Sequence, residues 1–290
     1  MAAQPFPSGE GKVRWVSSDW LADHLEDDMV IIDTQPNIHD YIAEHIPGAV
    51  YANEGLIRVN EYGFPQVFVP GEAIEPIIGR LGVEKGRPAL VYTGVGAVKK
   101  WGDGLEQSKW AYALARYGHD KIYVLDGGLD KWKAEGRALT QKFPSKDSSE
   151  FEVEVNDDYF VDMEDVKEMK DKGDVIVLDA RPPAVYEGKG VWARPGHIPG
   201  SVNLPWASLM DPNNTRLYKP VDEVRRLAEA VGATKDKIVI CSCGTGREAT
   251  LEFLTFKWLL DYPSVHIYEG AFTEWSAYPE NPVVTGKNPY

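Results

Sequence analysis

Short, continuous apolar runs alternate with helix-like segments along this chain. In the second half, VIVLDA (Val175–Ala180) and KIVICS (Lys237–Ser242) are such runs, and the segments near Val221–Val231 and Glu248–Leu260 repeat their apolar positions at helical spacing. Continuous short runs are typical of strands buried on both faces of a parallel sheet. The pattern therefore predicts an α/β fold in which helices connect parallel strands.

The same succession of segments occurs twice. The stretch MVIIDTQ…EHIPGAVYAN (Met29–Asn53) is echoed by DVIVLDARPP…GHIPGSVNLPW (Asp174–Trp206). Further along, IYVLDGGLDKW (Ile122–Trp132) is echoed by VHIYEGAFTEW (Val265–Trp275). Each copy ends a strand in aspartate and continues to a His-Ile-Pro-Gly turn. The repetition indicates a duplicated domain.

A polar stretch lies between the two copies. It contains Pro144 and a cluster of Ser, Lys and Asp, and it lacks sustained periodicity, as linkers do. We expect a first domain at residues 1–141, a linker at 142–150 and a second domain at 151–290. Each domain is predicted to be a parallel sheet with helices on both faces.

The composition of the chain argues against several classes of function. The 31 Lys+Arg and 45 Asp+Glu of the 290 residues give a net charge of −14, which disfavours nucleic acid as a partner. No apolar run approaches the roughly 20 residues of a membrane helix, and the first residues lack a secretory signal pattern. The two cysteines, Cys241 and Cys243, are too few for a disulfide scaffold or a Cys-rich zinc site. We expect a cytoplasmic protein without a membrane partner.

The clearest chemical signal is KIVICSCGTGREAT (Lys237–Thr250), in which a buried strand runs into Cys243 and then a helical pattern. Glycines after a strand permit a loop whose amides point inward, and the helix adds the positive end of its dipole. We expect the thiol of Cys243 to have a pKa below its ordinary value of about 8.5 and to act as a nucleophile. The alternative is an inert buried thiol. Cys241, on the same face of the strand, is expected to be core.

The chain resembles the tandem rhodanese-domain sulfurtransferases. The resemblance rests on Leu178–Arg181 (LDAR), on Gly196–Trp206 (GHIPGSVNLPW), on the Cys243 loop and on Tyr268–Trp275 (YEGAFTEW). It implies parallel α/β domains and an active site in the second copy, with a persulfide on Cys243 and neither a metal nor an organic cofactor. Because Thr93 aligns with Cys243, the first copy has no nucleophile.

The resemblance also implies a double displacement. Cys243 takes a sulfur atom from thiosulfate or 3-mercaptopyruvate and passes it to a thiophilic acceptor, which is cyanide, a small thiol or a protein dithiol. Backbone amides are expected to stabilise the persulfide, so that no general base is needed. The loop residues expected to bind the anion are Gly244, Thr245, Gly246, Arg247 and Glu248.

Three further residues are candidates for binding the donor. Arg181 and Arg194 could bind an anion, although an exposed arginine is more often a surface ion-pair partner. Asp179 is also expected to bond loop amides. Arg247 favours thiosulfate, and Val185 occupies the place where mercaptopyruvate enzymes of the family commonly carry Arg. Glu248 is unusual beside a dianion and could instead stabilise the first helical turn.

Two other function classes remain as alternatives. Phosphatases that share this loop architecture need a Cys-x5-Arg spacing, but here the sixth residue after Cys243 is Ala249. A partner-binding module without catalysis is the other alternative, and an intact cysteine loop argues against it. His45 and His197 lie in matching turns and are expected to be structural, because the copy containing His45 has no nucleophile.

Overall fold

The structure, a computed structural model, describes residues 5–61, 64–145 and 147–290. The chain divides into two compact units. Unit 1 comprises Met1–Val59, Phe68–Asn156 and Asn213–Tyr218, and unit 2 comprises Asn60–Val67, Asp157–Pro212 and Lys219–Tyr290.

The first half of the chain alternates strands and helices. Its strands are β1 (Val13–Val16), β2 (Val30–Asp33), β3 (Ala49–Tyr51), β4 (Arg58–Glu61), β5 (Phe64–Phe68), β6 (Ala89–Tyr92) and β7 (Ile122–Leu125). Its helices are α1 (Ser18–Asp23), α2 (Ile38–Ala43), α3 (Gly71–Arg80), α4 (Leu105–Arg116) and α5 (Gly128–Ala134).

The second half repeats this succession. Its strands are β8 (Phe160–Val161), β9 (Val175–Asp179), β10 (Val202–Asn203), β11 (Met210–Asp211), β12 (Asn214–Tyr218), β13 (Ile238–Ser242) and β14 (Val265–Tyr268). Its helices are α6 (Met163–Met169), α7 (Pro183–Tyr186), α8 (Val221–Ala230), α9 (Glu248–Leu254) and α10 (Ala271–Ala277).

Each unit is built on a five-stranded sheet whose strand pairs are parallel. The order is β1-β7-β6-β2-β3 in unit 1 and β8-β14-β13-β9-β10 in unit 2. Strands at equivalent places in the repeat occupy equivalent places in the two sheets. The predicted α/β fold with two copies of one domain is confirmed.

Helices on both faces explain why the strands are apolar throughout. In β2, Ile31 packs with Leu21 of α1 and Trp132 of α5 in one buried cluster. Val30 and Ile32 point to the opposite face because side chains alternate along a strand, and they too are fully buried. A strand with two covered faces cannot carry polar positions at every second residue, so the run is continuous.

Two helix ends show how the sequence sets local structure. The Trp20 amide donates to the Ser17 hydroxyl at the start of α1, a bond that serine at an N-cap commonly accepts. The helix predicted to run to Leu260 does not do so as a single α-helix: α9 ends at Leu254, and a π-helical turn follows over Thr255–Leu259. The Thr255 hydroxyl donates to the carbonyl of Leu251, a bond that bends helices.

The helices of the described ranges are short or amphipathic. None of them combines the length and the apolar character that crossing a membrane requires.

Gly79 yields a test of the packing in unit 1. Ser149 donates its amide to the Gly79 carbonyl at 2.9 Å, and a Cβ on Gly79 would lie 2.4 Å from the Ser149 carbonyl oxygen. Although Gly→Ala normally favours a helix, we expect Gly79→Ala to lower the free energy of unfolding by about 1–3 kcal/mol. Urea denaturation followed by circular dichroism measures this.

Gly173→Ala is the matched control, because a Cβ there would have no atom within 4 Å. It should unfold at the wild-type urea concentration or slightly above it. Equal stability of the two variants would show that Gly79 is not a close-packing position.

Candidate active site

Cys243 directly follows β13, the central strand of the unit 2 sheet. Ser242, the last residue of that strand, pairs with Asp179 and accepts a hydrogen bond from the Ala180 amide at 2.9 Å. The thiol therefore lies at the carboxyl end of a parallel sheet, where folds of this class place their sites. Its side chain is 0% exposed.

The start of α10 holds the backbone of the loop after Cys243. The Phe272 amide donates to the Cys243 carbonyl at 2.9 Å, and the Thr273 amide donates to the Gly244 carbonyl at 3.0 Å. The Thr273 hydroxyl also donates to the Gly244 carbonyl, at 2.7 Å. The first amides of a helix have no hydrogen-bond partner within the helix, so the loop carbonyls and the α10 amides supply partners for each other.

These carbonyl bonds turn the loop amides toward the sulfur. In a trans peptide the N–H points opposite to the C=O, so carbonyls aimed at α10 leave the following amides facing the other way. The amides of Thr245 and Ala249 donate hydrogen bonds to the Cys243 sulfur. The inward-facing amides that the sequence predicts are therefore present around the thiol.

The predicted pKa of Cys243 is wrong in direction. Burial raises the pKa of the thiol well above its usual range, and the Glu248 carboxylate, which accepts a hydrogen bond from the thiol, raises it further. The amides of Thr245 and Ala249 lower it by less. The sequence revealed the amides, but neither the depth of the thiol nor the direction of the Glu248 side chain.

Trp192 covers the loop at Gly244. A Cβ on Gly244 would lie 2.9 Å from the indole, so only glycine fits there. The indole N–H donates to the Thr273 hydroxyl at 3.0 Å, and the ring meets Phe272 edge to face at 5.4 Å. Sequence reasoning missed Trp192 and Thr273 as site residues. The only signal was the place of Thr273 in the repeated YEGAFTEW segment.

The helix start at α10 carries backbone strain. Ala271 has φ 55°, in the left-handed region that disfavours residues with a Cβ. Its counterpart in unit 1 is Gly128, with φ 59°. The left-handed residue directly precedes the two amides that bind the loop carbonyls.

Arg181 and Asp179 form a buried ion pair next to the loop. The Arg181 Nε donates to Asp179 Oδ1 at 2.8 Å, and the guanidinium lies 4.3 Å from the ring centre of Phe272. Asp179 also accepts the Arg181 amide, which is the loop-amide bond predicted for it. With 1% exposure, Arg181 is not a surface residue. Its Nη1 has no hydrogen-bond partner among the described residues.

The other predicted site residues lie in two places. Thr245, Arg247 and Glu248 are partly exposed, and Gly246 takes the left-handed φ of 77° that glycine tolerates. Arg194 donates to backbone carbonyls near α10, including that of Tyr278 at 2.6 Å. Binding of an anion by these residues stays a prediction.

A second buried acid lies behind the thiol. Glu252 on α9 is 0% exposed, and neither of its carboxyl oxygens has a hydrogen-bond partner in the part of the chain that the structure describes. Burial raises its pKa well above the usual range, and the nearby charges of Asp179 and Glu248 raise it further. Cys241, also fully buried, has a thiol pKa raised by burial and by Glu252.

The equivalent place in unit 1 is built differently. The Leu129 amide donates to the Thr93 carbonyl at 2.8 Å, matching the bond from Phe272 to Cys243. The Thr93 hydroxyl is buried and donates to the Thr34 carbonyl, and the Thr93 amide donates to Gln107 Oε1. The scaffold is thus retained while the side chain at its centre forms only structural bonds.

The histidines of the two turns make equivalent contacts. His45 lies within hydrogen-bond distance of the Tyr41 carbonyl and stacks on the Tyr41 ring at 4.0 Å. His197 does the same with Tyr186, at 3.7 Å between ring centres. These contacts agree with the predicted structural role. Across the described residues, no three His, Cys, Asp or Glu side chains converge as a metal-ligand set.

Comparison with known proteins identifies relatives along the chain. The family description of the rhodanese-like domain matches residues 17–135 and 162–278. A Synechococcus elongatus protein named provisionally as a thiosulfate sulfurtransferase is 36% identical over 96% of this chain and 87% of its own length. The 3-mercaptopyruvate sulfurtransferase of Escherichia coli is 29% identical over 93% of this chain and 97% of its own length.

A solved structure shares the fold. The crystal structure of YnjE superposes with a TM-score of 0.83 at 20% identity, covering 95% of this chain and 69% of that one.

Glu252 should make the stability of unit 2 depend on pH. Its pKa in the folded protein lies above the ordinary 4.5, so the folded state binds one proton more than the unfolded state at pH values between the two pKa values. The free energy of unfolding should therefore fall as pH rises above 4.5, the ordinary pKa of the carboxyl. Glu252→Gln, which stays neutral, should flatten this decline.

Urea midpoints measured across that pH range test the expectation. The exposed Glu229→Gln on α8 is the control and should keep the wild-type slope. If Glu252→Gln declines as steeply as wild type, the buried carboxyl is not the source of the pH dependence.

Proposed function

Because this chain belongs to the tandem rhodanese-domain family of sulfurtransferases, we propose that Cys243 is its nucleophile and that thiosulfate is its sulfur donor. The observation that carries the proposal is the backbone at Cys243. Two amides donate to the sulfur, and the carbonyls that could repel an anion are bound to α10. A persulfide anion formed there would be stabilised by dipoles that are already oriented.

The reaction has two displacements. The sulfur of Cys243, once deprotonated, attacks the outer sulfur of thiosulfate, and the bond between the two thiosulfate sulfurs breaks with its electron pair leaving on sulfite. An acceptor then attacks the outer sulfur of the Cys243 persulfide, and the thiolate leaves. Cyanide serves as acceptor in an assay, and a small thiol or a protein dithiol is the acceptor class we propose for the cell.

Two features favour thiosulfate as the donor. Arg247 is partly exposed in the same loop as Cys243, and its positive charge suits a dianionic donor. Val185 cannot supply the guanidinium that would bind the carboxylate of 3-mercaptopyruvate. The similarity to the Escherichia coli enzyme makes 3-mercaptopyruvate the second candidate donor.

Sulfur loading of Cys243 is the direct test. After incubation with thiosulfate, intact-protein mass spectrometry should show the mass of one added sulfur atom, removed by dithiothreitol. Cys243→Ser should abolish loading and thiocyanate formation. Cys241→Ser is the matched control and should largely keep both, because Cys241 lies within β13 and not in the loop.

Equal loss from both serine variants would mean that the nucleophile is misassigned. Hydrolysis of an aryl phosphate would favour a phosphatase. If thiosulfate left the wild-type protein without added sulfur, a partner-binding module would be favoured. Turnover with 3-mercaptopyruvate above that with thiosulfate would reverse the proposed donor.

Arg247→Ala tests binding of the anionic donor. Loss of one charge-assisted contact of about 1.5–3 kcal/mol should raise the KM for thiosulfate about tenfold or more, with a smaller effect on kcat. Steady-state kinetics with varied thiosulfate at fixed cyanide measure it. Arg226→Ala on exposed α8 is the control, and an unchanged KM in Arg247→Ala would exclude Arg247 from the donor site.

A further inference from the structure

The hydroxyl of Thr273 lies within a chain of hydrogen bonds that leads to the Cys243 sulfur. The Trp192 indole N–H donates to this hydroxyl at 3.0 Å, and the hydroxyl donates to the Gly244 carbonyl at 2.7 Å. The peptide group that contains this carbonyl also contains the Thr245 amide, which donates to the sulfur. Thr273 and the sulfur therefore bind opposite ends of one peptide group.

The chemistry of the groups fixes the direction of each bond in this chain. An indole N–H can only donate, and a carbonyl oxygen can only accept. The Thr273 hydroxyl can do both, so it must accept from Trp192 and donate to Gly244. Because the peptide is trans, a carbonyl held by Thr273 leaves the Thr245 N–H pointing the other way, toward the sulfur.

Unit 1 carries an acceptor where unit 2 carries this hydroxyl. In the two units the amides of Leu129 and Phe272 make matching bonds to the residue that directly follows the central strand. Asp130, the residue after Leu129, is therefore the counterpart of Thr273. Its carboxylate can only accept, and its two oxygens lie 3.1 and 3.3 Å from the Val95 amide, which donates to them.

Two counterpart amides consequently face opposite ways in the two units. Val95 lies two residues after Thr93, as Thr245 lies two residues after Cys243. The Val95 amide donates to a side chain of α5, whereas the Thr245 amide donates to the sulfur. A donor side chain at this position of the last helix binds the carbonyl of the loop peptide, and an acceptor side chain binds a loop amide instead.

We propose that Thr273 is a positioning residue for sulfur transfer, an inference that rests on the proposed function. By donating to the Gly244 carbonyl, its hydroxyl sets the direction of the peptide between Gly244 and Thr245. It thereby supplies one amide to the sulfur of the Cys243 persulfide. Thr273 acts through that peptide and not on the sulfur itself.

The backbone of Thr273 limits how much the hydroxyl alone contributes. The Thr273 amide donates to the same Gly244 carbonyl at 3.0 Å, so removal of the hydroxyl leaves one of two bonds to that oxygen. A carboxylate at this position would do more, because it would compete with the sulfur for the Thr245 amide. The proposal therefore predicts a graded series of effects.

Three substitutions at Thr273 test that series. Thr273→Ser keeps a hydroxyl and should load sulfur at close to the wild-type rate. Thr273→Val keeps the shape and should lower the single-turnover rate of persulfide formation from thiosulfate about tenfold, the effect of one lost hydrogen bond. Thr273→Asp, which copies unit 1, should lower it about 10²- to 10³-fold, as loss of an amide donor to a developing anion does. Rapid-quench mass spectrometry measures the rate.

The Thr245 amide gives a readout that a purely structural role would not move. In protein made with isotopically labelled threonine, its NMR resonance is assigned by its loss in Thr245→Ser. The resonance should shift when wild type and Thr273→Ser are loaded with sulfur. In Thr273→Asp it should not respond to loading, because the amide has turned to the carboxylate. A crystal structure of Thr273→Asp should show the same reversal of the peptide.

Ser276→Ala is the matched control. Ser276 also carries a hydroxyl on α10, but it donates within the helix, to the Thr273 carbonyl at 3.5 Å. This variant should load like wild type. Urea denaturation of every variant distinguishes slow loading from loss of folded protein.

The contradicting outcomes are distinct. Wild-type loading by Thr273→Val, or an unchanged response of the Thr245 resonance in Thr273→Asp, would overturn the positioning role while leaving Cys243 as nucleophile. Equally slow loading by Thr273→Ser and Thr273→Val would assign Thr273 to packing alone. Failure of wild type to load would overturn the proposed function, and the positioning role with it.

Discussion

The bonds from the first amides of α10 to the carbonyls of Cys243 and Gly244 are the constraint on which the site depends. They fix which way each peptide of the loop faces, and planarity of the peptide then fixes the amides. The Thr273 hydroxyl donates to the Gly244 carbonyl as well, and the Trp192 indole N–H donates to that hydroxyl. Without these contacts the loop would be free to turn its carbonyls toward the sulfur, where they would repel a persulfide anion.

Opposing effects of different size set the direction in which the pKa of the Cys243 thiol shifts. The amides favour a negative sulfur, but burial and the Glu248 carboxylate oppose it and prevail. A cage of amides inside a protein thus stabilises a charge once formed without guaranteeing that the charge is present at rest. Stabilising the persulfide anion is therefore a different task from activating the Cys243 thiol as a nucleophile.

The fold was largely predictable from the sequence, because the order of the apolar runs indicates both which strands are buried and that the domain is repeated. The positions of Cys243 and Thr93 followed from the same alignment, as did the amide bond of Asp179. Other features depend on where distant segments meet. Trp192 contacts Gly244 only because the chain folds, and the burial of Glu252 depends on α9 lying over the sheet. The sequence alone therefore could not predict the close packing at Gly244 or the direction of the Cys243 pKa shift.

The loop that follows Thr93 in unit 1 is longer than the loop that follows Cys243 in unit 2. Between β6 and α4 the chain runs through Gly94–Gly104, where unit 2 has only Gly244–Arg247. The Val95 amide, two residues after Thr93 as Thr245 is after Cys243, donates to Asp130 Oδ2 at 3.1 Å, and the first amide of α4 donates to Asp103. Restoring a cysteine at Thr93 would therefore not by itself restore two amide donors to its sulfur. The two copies are separated by an insertion as well as by a point substitution, which makes their divergence hard to reverse one residue at a time.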